Sequence, residues 1–440
     1  MAIDSTIDGT ASVRPGLSRV IIAATIGNVL EGFDFIVYGF FAVMIAEVFF
    51  PASNPTVSLL VTFGTFGLGY VARPLGAVII GTYSDRAGRK AGLTLSIGLM
   101  LIGTTLMVIT PSYATIGIAA PIIITIARLL QGFSMGGEVG SAAAFLVEHG
   151  GERRGFSASW LPASGGIVSV IVSLFGVTLT TQLSHEQLID WGWRIPYVFG
   201  LLVGPAGLYI RSHIDETPDF LKAERSQKVS ISDLLRRHPV PLLLALGATI
   251  VGASSYYLLL MYIPTYGIKT LHLPAYAGFL ATLVGGIILG TFSVVAGHRS
   301  DKTVPRTRIM LITAWLFLLA AYPCFWLMDV YPSVATAVFA VSFLNLIKGG
   351  YSGVLPSVLC EQFPVETRSV GVALAFSISI TIFGGFTPFV ATWLIAQTGD
   401  PLSPSYYLMA TALLSIAALM AIERRARLVR KSAEVARSVV

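Results

Sequence analysis

Charged residues are scarce in this sequence. Lys, Arg, Asp and Glu make up 12% of its 440 residues, whereas about 25% is usual for a soluble domain. Apolar residues make up 54%, in runs of about 20 residues, the length that crosses a bilayer as a helix. The runs do not alternate with polar residues as the strands of an outer-membrane barrel do. The composition therefore excludes a soluble domain and predicts an all-α polytopic membrane protein.

Residues that bind metals or perform covalent chemistry are also few. The two cysteines, Cys324 and Cys360, fall in predicted spans, and the six histidines fall in loops or at span ends without metal-ligand spacing. The sequence contains no P-loop, zinc-protease or serine-hydrolase signature. We therefore expect no enzyme activity, no metal and no cofactor.

Twelve hydrophobic spans are predicted, and an even number places both termini on one side of the membrane. We number them from 1 to 12, with the bounds 19–47, 57–82, 92–110, 115–147, 156–183, 192–211, 240–268, 275–297, 308–328, 333–361, 367–397 and 404–424.

The basic residues are distributed unevenly between the two sides. Most lie in the tails and in the loops that follow even-numbered spans, with Arg194 and Lys269 as exceptions. Because cytoplasmic loops carry an excess of Lys and Arg, both termini are predicted to be cytoplasmic. The same excess explains the net charge of +6, so we expect no nucleic-acid partner. The N-terminal segment lacks a signal-peptide cleavage site. We expect a multi-pass protein of the bacterial cytoplasmic (inner) membrane.

The two halves of the chain share matching segments. Asp85 after span 2 corresponds to Asp301 after span 8, and Glu148 after span 4 corresponds to Glu361 after span 10, at nearly the same offset. The matches predict a duplicated six-span unit with a binding site between the halves. The predicted division is an N-terminal tail (1–18), a first bundle (19–211), a cytoplasmic linker (212–239), a second bundle (240–424) and a C-terminal tail (425–440).

Span 1 carries two carboxylates, Glu31 and Asp34, at a depth where one ionised side chain costs about 2.5–3.5 kcal/mol. Glu31 shares one helix face with Asn28, Phe35 and Tyr38. We interpret this face as the wall of a central pathway, with Tyr38 as a substrate ligand and with Glu31 and Asp34 as proton-coupling residues.

Span 2 contains a buried arginine, Arg73, within GYVARPLG. A guanidinium binds a carboxylate through two parallel hydrogen bonds. Arg73 is therefore expected either to hold a carboxylate of the substrate or to pair with Glu31 or Asp34.

The loop after span 2 reads GTYSDRAGRK, from Gly81 to Lys90. It resembles the signature of the major facilitator superfamily, as GHRSDKTVPRTR resembles its degraded second copy and ARLLQG its second motif. The resemblance implies twelve helices in two pseudo-symmetric bundles. Charges here either lock the two halves in one state or only set the topology, and the gating candidates are Gly81, Asp85, Arg86, Gly88, Arg89, Lys90 and Asp301.

Further segments resemble the metabolite:proton symporter family of that superfamily. They are GNVLEGFDFIVYG, GYVARPLG, ARLLQGFSMGGEVG, DWGWRIPYVFG and TIFGGFTP, so the resemblance covers essentially the whole chain. YIPTYG and TGDPLSPSYYLM resemble segments of the citrate and tricarballylate carriers. The resemblance implies uptake of a small metabolite together with protons.

Span 4 places Arg128, Gln131 and Glu138 on one helix face. The family resemblance makes Arg128 a candidate for substrate recognition or coupling, and we include Gln131 as a substrate ligand. Glu138 is either a proton-coupling residue or the partner of an arginine.

Span 10 places Asn345, Lys348 and Tyr351 on roughly one face, and we predict that all three bind the substrate. The lysine departs from the citrate carriers, which are apolar at this position. Span 7 carries an aromatic run that could supply hydroxyl groups to a carboxylate, but we favour an interfacial aromatic belt together with packing for it. The run consists of Tyr256, Tyr257, Tyr262 and Tyr266.

The sequence thus predicts a secondary active transporter that takes up a small organic anion with protons by alternating access. Citrate or a related tri- or dicarboxylate is the preferred substrate. The alternatives are an aromatic or hydroxylated monocarboxylate and an osmolyte zwitterion, whose carriers bear a longer heptad-containing C-terminal extension. The expected partners are the substrate, protons and the lipid bilayer, and the expected state is a monomer.

Overall fold

The computed structural model describes residues 17–87, 89–136, 138–212, 231–302 and 304–438. Within these ranges the chain is almost entirely helical and contains no strand. Eight of the described helices are long and apolar enough to cross a membrane by length and composition alone, and a bent pair in span 1 adds a ninth.

Twelve helical segments correspond to the twelve predicted spans. Spans 1 to 6 are Leu17–Phe40 with Ala42–Phe49, Pro55–Ala87, Arg89–Ile109, Ala119–Ser134 with Glu138–His149, Arg154–Gln182, and Ile195–Ser212. Spans 7 to 12 are Pro239–Tyr256 with Tyr257–Tyr262 and Ile263–Lys269, Ala275–Ser300, Arg306–Val330, Val334–Ser352 with Leu355–Glu361, Arg368–Ile380 with Thr381–Gly385 and Thr387–Thr398, and Ser403–Ser438.

The last helix differs most from its predicted bounds. Span 12 continues to Ser438, well past the predicted end at residue 424. Its final turns are rich in Ala, Arg, Leu and Glu, which are strong helix formers. Arg427 Nη2 and Glu423 Oε1 form an (i, i+4) ion pair at 2.7 Å. Helical propensity therefore carries the helix into the segment predicted as a tail.

Four spans at corresponding positions of the halves, spans 1, 4, 7 and 10, are interrupted along their length, and span 11 is interrupted as well, by a π-helical turn at Thr381–Gly385. Span 1 bends by 65° at Phe41, span 4 breaks after Ser134, span 7 contains a π-helical turn at Tyr257–Tyr262, and span 10 breaks at Gly353. Since the halves are related by six spans, these four form two corresponding pairs. Interrupted helices at corresponding positions are characteristic of a binding site between repeats.

The two halves meet along two pairs of spans. Spans 5 and 8 touch closely because Gly166 faces the backbone of Gly286 and Gly290. Spans 2 and 11 are joined by a hydrogen bond from Thr381 Oγ1 to the Tyr70 carbonyl oxygen at 3.2 Å. The remaining space between the halves is the cavity described below.

Spans 2 and 4 cross with their backbones in contact. A Cβ atom at Gly132 would overlap the carbonyl oxygen of Gly69, and one at Gly76 would overlap the carbonyl of Phe133. Gly69 and Gly76 lie about one turn on either side of Arg73. The glycine contacts therefore set the position of Arg73 against span 4.

We expect Gly132→Ala to destabilise the protein by about 1–3 kcal/mol, the usual cost of overpacking, because the carbonyl it meets belongs to a helix backbone that cannot rotate away. Thermal unfolding in detergent measures the loss. Gly98→Ala is the matched control, since no described atom lies within 4 Å of its added Cβ. Equal stability of the two variants would contradict the close crossing.

Candidate functional site

A cavity of about 170 Å³ lies between the two halves. Residues from spans 1, 2, 4 and 5 of the first half and from spans 7, 8, 10 and 11 of the second half line it. Two basic side chains face this cavity, Arg73 from the first half and Lys348 from the second. Among the lining residues that the structure describes, no carboxylate accompanies them.

Arg73 is 7% exposed, and its guanidinium lies 5.3 Å from the centre of the Tyr70 ring. It makes no hydrogen bond or salt bridge with any side chain that the structure describes, including the predicted partners Glu31 and Asp34. Buried charges are normally paired because desolvation of a lone charge is costly. Arg73 can therefore receive an anion from the cavity.

Lys348 is 2% exposed and is held by neutral groups. Its ammonium donates to the Gly252 carbonyl oxygen at 2.8 Å, to Ser255 Oγ at 3.2 Å and to Ser352 Oγ at 3.3 Å. The Tyr256 ring centre lies 5.5 Å from Nζ. These contacts replace the hydration of the ammonium, but they do not neutralise its charge.

Aromatic rings form much of the remaining wall. The hydroxyls of Tyr70 and Tyr257 are hydrogen-bonded across the two halves, and Tyr256 Oη donates to the Gly165 carbonyl oxygen at 3.1 Å. Tyr256 and Tyr257 both line the cavity, so the interfacial part of their interpretation is wrong, whereas both rings pack against neighbouring tyrosines. The span that carries them packs between the halves rather than against lipid headgroups.

A second polar cluster lies inside the first half, away from the lining of the cavity. Arg128 Nη1 donates to Gln131 Oε1 at 2.7 Å, and Gln131 Nε2 donates to Thr104 Oγ1 at 3.0 Å. Thr104 Oγ1 in turn donates to Asp34 Oδ2 at 3.2 Å. Four side chains from spans 1, 3 and 4 thus form one hydrogen-bonded chain, which we call the Asp34–Arg128 chain.

Both ends of the Asp34–Arg128 chain carry polar atoms that have no partner among the described residues. These atoms are Asp34 Oδ1 and Arg128 Nε and Nη2. The Arg128 guanidinium lies 3.9 Å from the ring centre of Phe35 and 4.7 Å from that of Tyr38. Phe35 also lines the cavity. One aromatic ring therefore separates the buried arginine from the cavity.

The predicted wall of span 1 is only partly present at the cavity. Asn28 and Phe35 line it, whereas Tyr38 donates to the Thr62 carbonyl oxygen within the first half at 3.2 Å. Asp34 packs against Gly200 of span 6, and Glu31 is not among the lining residues. Span 1 is surrounded by protein on several sides, so its polar residues occupy both a cavity face and a bundle face.

Of the other predicted substrate ligands, some line the cavity and some are bonded within one half. Lys348 lines the cavity, but Asn345 Nδ2 donates to the Val341 carbonyl oxygen at 2.9 Å and Tyr351 bonds to the Ala248 carbonyl oxygen. Neither Asn345 nor Tyr351 is among the lining residues. The same holds for Arg128 and Gln131, which belong to the Asp34–Arg128 chain. The side chain of Glu138 lies outside the described residues.

Three residues of these clusters were missed in the sequence. Ser255 and Ser352 hold the Lys348 ammonium, and Thr104 links Asp34 to Gln131. Ser352 follows Lys348 by one helical turn, a spacing that could have identified it. Thr104 lies in a largely apolar span, and only the packing of spans 1, 3 and 4 reveals its role.

One predicted gating residue joins the halves on the face that carries the chain termini. Asp301, whose side chain is 5% exposed, accepts hydrogen bonds from the Gly155 and Phe156 amides at 2.7 and 2.9 Å. These amides begin span 5 in the other half, where a helix dipole favours negative charge. Arg306 Nη2 contacts Asp301 Oδ1 at 2.8 Å and fixes the carboxylate.

A salt bridge strengthens the contact on this face. Arg368 Nη1 and Glu148 Oε1 lie 3.1 Å apart, across the two halves. Gly81 is exposed and has open space around it. The remaining gating candidates belong to the loop after span 2. Gly88 lies outside the described residues, and so do the side chains of Asp85, Arg86, Arg89 and Lys90.

The halves also touch on the opposite face. Phe41 packs on Phe279 with ring centres 5.4 Å apart, and Lys269 Nζ lies 3.7 Å from Glu47 Oε1. The salt bridge is partly exposed, and such pairs contribute little, about 0–1 kcal/mol. Apolar packing therefore dominates on this face, and charged contacts dominate on the face with the termini.

We expect Asp301→Asn to favour opening of the face that carries the termini. Loss of a partly buried charge at a helix N-terminus costs up to about 2 kcal/mol, so the equilibrium constant for opening should increase by up to about thirtyfold. The rate at which a maleimide labels Ser357→Cys, with Cys324 and Cys360 replaced by alanine, measures this. Glu423→Gln removes an acidic partner that makes no contact between halves and is the control. Unchanged labelling in Asp301→Asn would contradict a latch.

Two six-helix units around a charged central cavity define the class of membrane transporters that work by alternating access. The family model of the Major Facilitator Superfamily matches residues 24–378. The chain belongs to this superfamily, so the predicted family and the predicted twelve-helix fold are confirmed. It is a multi-pass membrane transporter.

Relatives of known function cover nearly the whole chain. A citrate-proton symporter of Klebsiella pneumoniae is 36% identical over 430 residues, which is 97% of this chain and 96% of that protein. A proline/betaine transporter of Escherichia coli is 36% identical over 91% of this chain and 82% of that protein. A crystal structure of a D-xylose-proton symporter has a TM-score of 0.72 at 17% identity, covering 92% of this chain and 97% of that chain, and so shares the fold.

Proposed function

We propose that the protein imports a small organic anion together with protons, with citrate or a related di- or tricarboxylate as the preferred substrate. One observation carries the proposal: Arg73 and Lys348 enter the same cavity from opposite halves, and neither has a carboxylate partner among the described side chains. An anion that binds between them neutralises buried charge. The likeness to citrate-proton symporters supports the same substrate class.

Protons enter the mechanism through the Asp34–Arg128 chain. A carboxyl group that takes up a proton no longer carries the cost of a charge at membrane depth, and it can donate a hydrogen bond as well as accept one. Protonation of Asp34 therefore changes its bond to Thr104 and, through Gln131, the position of Arg128. Arg128 contacts Phe35, whose ring lines the cavity, so the proton site is mechanically connected to the anion site. Glu31 and Glu138 remain candidates for additional proton sites.

The contacts on the two faces provide the gates. With the termini in the cytoplasm of a bacterial cell, the Asp301 and Glu148 contacts close the cytoplasmic side, and the substrate enters from the opposite side. Binding of the anion and of a proton favours a state in which these contacts separate and the cavity opens inward. We propose that a monomer carries out this cycle.

A proton-driven importer is tested by uptake of labelled citrate and dicarboxylates into cells that lack carriers of their own. Accumulation should be abolished by a protonophore, because inward proton movement supplies about 2.3 kcal/mol per 100 mV. Accumulation that persists under the protonophore would exclude proton coupling.

The likeness to proline/betaine transporters makes import of an osmolyte zwitterion the second candidate. A zwitterion brings a positive charge into a cavity that already holds two cations. The same cells distinguish the candidates, because glycine betaine uptake stimulated by a hyperosmotic shift, with no uptake of carboxylates, would favour the osmolyte.

A further inference from the structure

We infer that the transported substrate is bound as a dianion, with one carboxylate on Arg73 of the first half and another on Lys348 of the second. This inference rests on the proposed function, which it makes more specific. For a dicarboxylate it means binding of the fully ionised form. For a tricarboxylate it means binding of the form in which one carboxyl group is protonated.

The first argument is the balance of charge in the cavity. Arg73 and Lys348 are both more than nine-tenths buried, where an uncompensated charge is strongly unfavourable. A monoanion leaves one of the two cations uncompensated, and a trianion leaves one carboxylate uncompensated. A dianion leaves neither.

The second argument is the state of the neutral polar groups. Asn28 Nδ2 already donates to Ser164 Oγ at 2.5 Å, and Thr249 Oγ1 donates to the Ala245 carbonyl oxygen at 2.8 Å. Tyr256 is bonded to the Gly165 carbonyl oxygen, and the Tyr70 and Tyr257 hydroxyls are bonded to each other. A third carboxylate would need several of these donors and would break contacts within the protein to obtain them.

The third argument concerns the aromatic rings, which could otherwise hold a quaternary ammonium group. Three of the rings that line the cavity already lie near a cation of the protein. Arg73 lies near Tyr70, Lys348 near Tyr256 and Arg128 near Phe35. The cation of a zwitterion would meet like charge at each of these rings, so the rings favour an anion with an apolar carbon skeleton.

The two cations belong to different halves, which gives the dianion a mechanical role. A ligand with two carboxylates joins the halves through the cavity, whereas a monoanion holds only one of them. The Lys348 ammonium is hydrogen-bonded to Gly252, Ser255 and Ser352 without any ligand. Departure of the substrate therefore leaves these hydrogen bonds of the second half intact. The bridging ligand thus favours closure of the cavity around it.

The test uses three carboxylates on one propane skeleton, binding to the purified full-length protein: butyrate, glutarate and propane-1,2,3-tricarboxylate. At a pH at which all carboxyl groups are ionised, we expect glutarate to bind at least about tenfold more tightly than either of the others. At a pH at which the tricarboxylate is singly protonated, its affinity should approach that of glutarate. Isothermal titration measures each Kd without requiring transport.

The variant Lys348→Met should remove the preference for glutarate over butyrate, and Lys348→Arg should retain it. The matched control is Arg427→Met, which removes an exposed basic side chain of span 12 and should leave the order unchanged. The thermal unfolding temperature of each unliganded variant shows whether it is folded.

Several results would overturn the inference without affecting the proposed function. The first is tighter binding of the fully ionised tricarboxylate than of glutarate, and the second is tighter binding of butyrate than of glutarate. The third is an unchanged preference for glutarate over butyrate in folded Lys348→Met. Binding of glycine betaine with no binding of any carboxylate would instead overturn the proposed function itself.

Discussion

We expect replacement of Asp34 by Asn to abolish proton-driven accumulation of the substrate but to preserve its exchange across the membrane. Asp34 is 4% exposed and accepts a hydrogen bond from Thr104. Asn has the same shape and can accept the same bond, but it cannot take up and release a proton. The carrier should therefore still change state, while the proton gradient no longer drives it.

The expected size of this effect follows from the driving force that is lost. Because a membrane potential that is negative inside drives a dianion outward, the pH gradient is the effective driving force, and a difference of one pH unit is worth about 1.4 kcal/mol per proton, which corresponds to about a tenfold concentration ratio. In proteoliposomes with an imposed gradient, Asp34→Asn should reduce the accumulation ratio to about one. Counterflow, in which unlabelled substrate inside exchanges for labelled substrate outside, should continue.

Glu186→Gln is the control for Asp34→Asn, because Glu186 is an exposed carboxylate in the loop between spans 5 and 6. It should accumulate substrate as the native protein does. Undiminished accumulation by Asp34→Asn would assign proton coupling to another carboxylate, and loss of counterflow would give Asp34 a role in the change of state itself.

Replacement of Arg73 by Gln should weaken substrate binding by on the order of a hundredfold, the usual cost of losing one partner of a buried charge pair. Gln retains a polar side chain of moderate length but neither the charge nor the paired donors of the guanidinium. Arg73→Lys keeps the charge and should recover part of the affinity. Isothermal titration with a dicarboxylate measures both losses.

Arg427→Gln is the matched control for Arg73→Gln, since Arg427 is exposed on span 12 and pairs with Glu423. It should bind the substrate normally. If Arg73→Gln remains folded and binds a carboxylate with native affinity, Arg73 is not a ligand and the anion site lies elsewhere.

Local patterns in the sequence predicted the helices and their order. Runs of apolar residues and the uneven distribution of arginine and lysine are sufficient for this, because the bilayer requires each spanning segment to satisfy its own backbone hydrogen bonds. The buried ions were also identifiable, since a charge within an apolar run stands out. The interpretation of Tyr256 and Tyr257 failed because an aromatic residue near a span end looks the same whether it faces lipid or a neighbouring helix.

The amino-acid sequence by itself determined the class of protein, the twelve spans, the duplicated halves and the ionisable residues available for function. Only the tertiary structure decided which of those residues act together. Arg73 and Lys348 meet at one cavity from opposite halves, while Asp34 and Arg128 join a separate chain through Thr104. The physical reason is that a helix presents polar residues in several directions, and the neighbour that each direction meets depends on how distant spans pack.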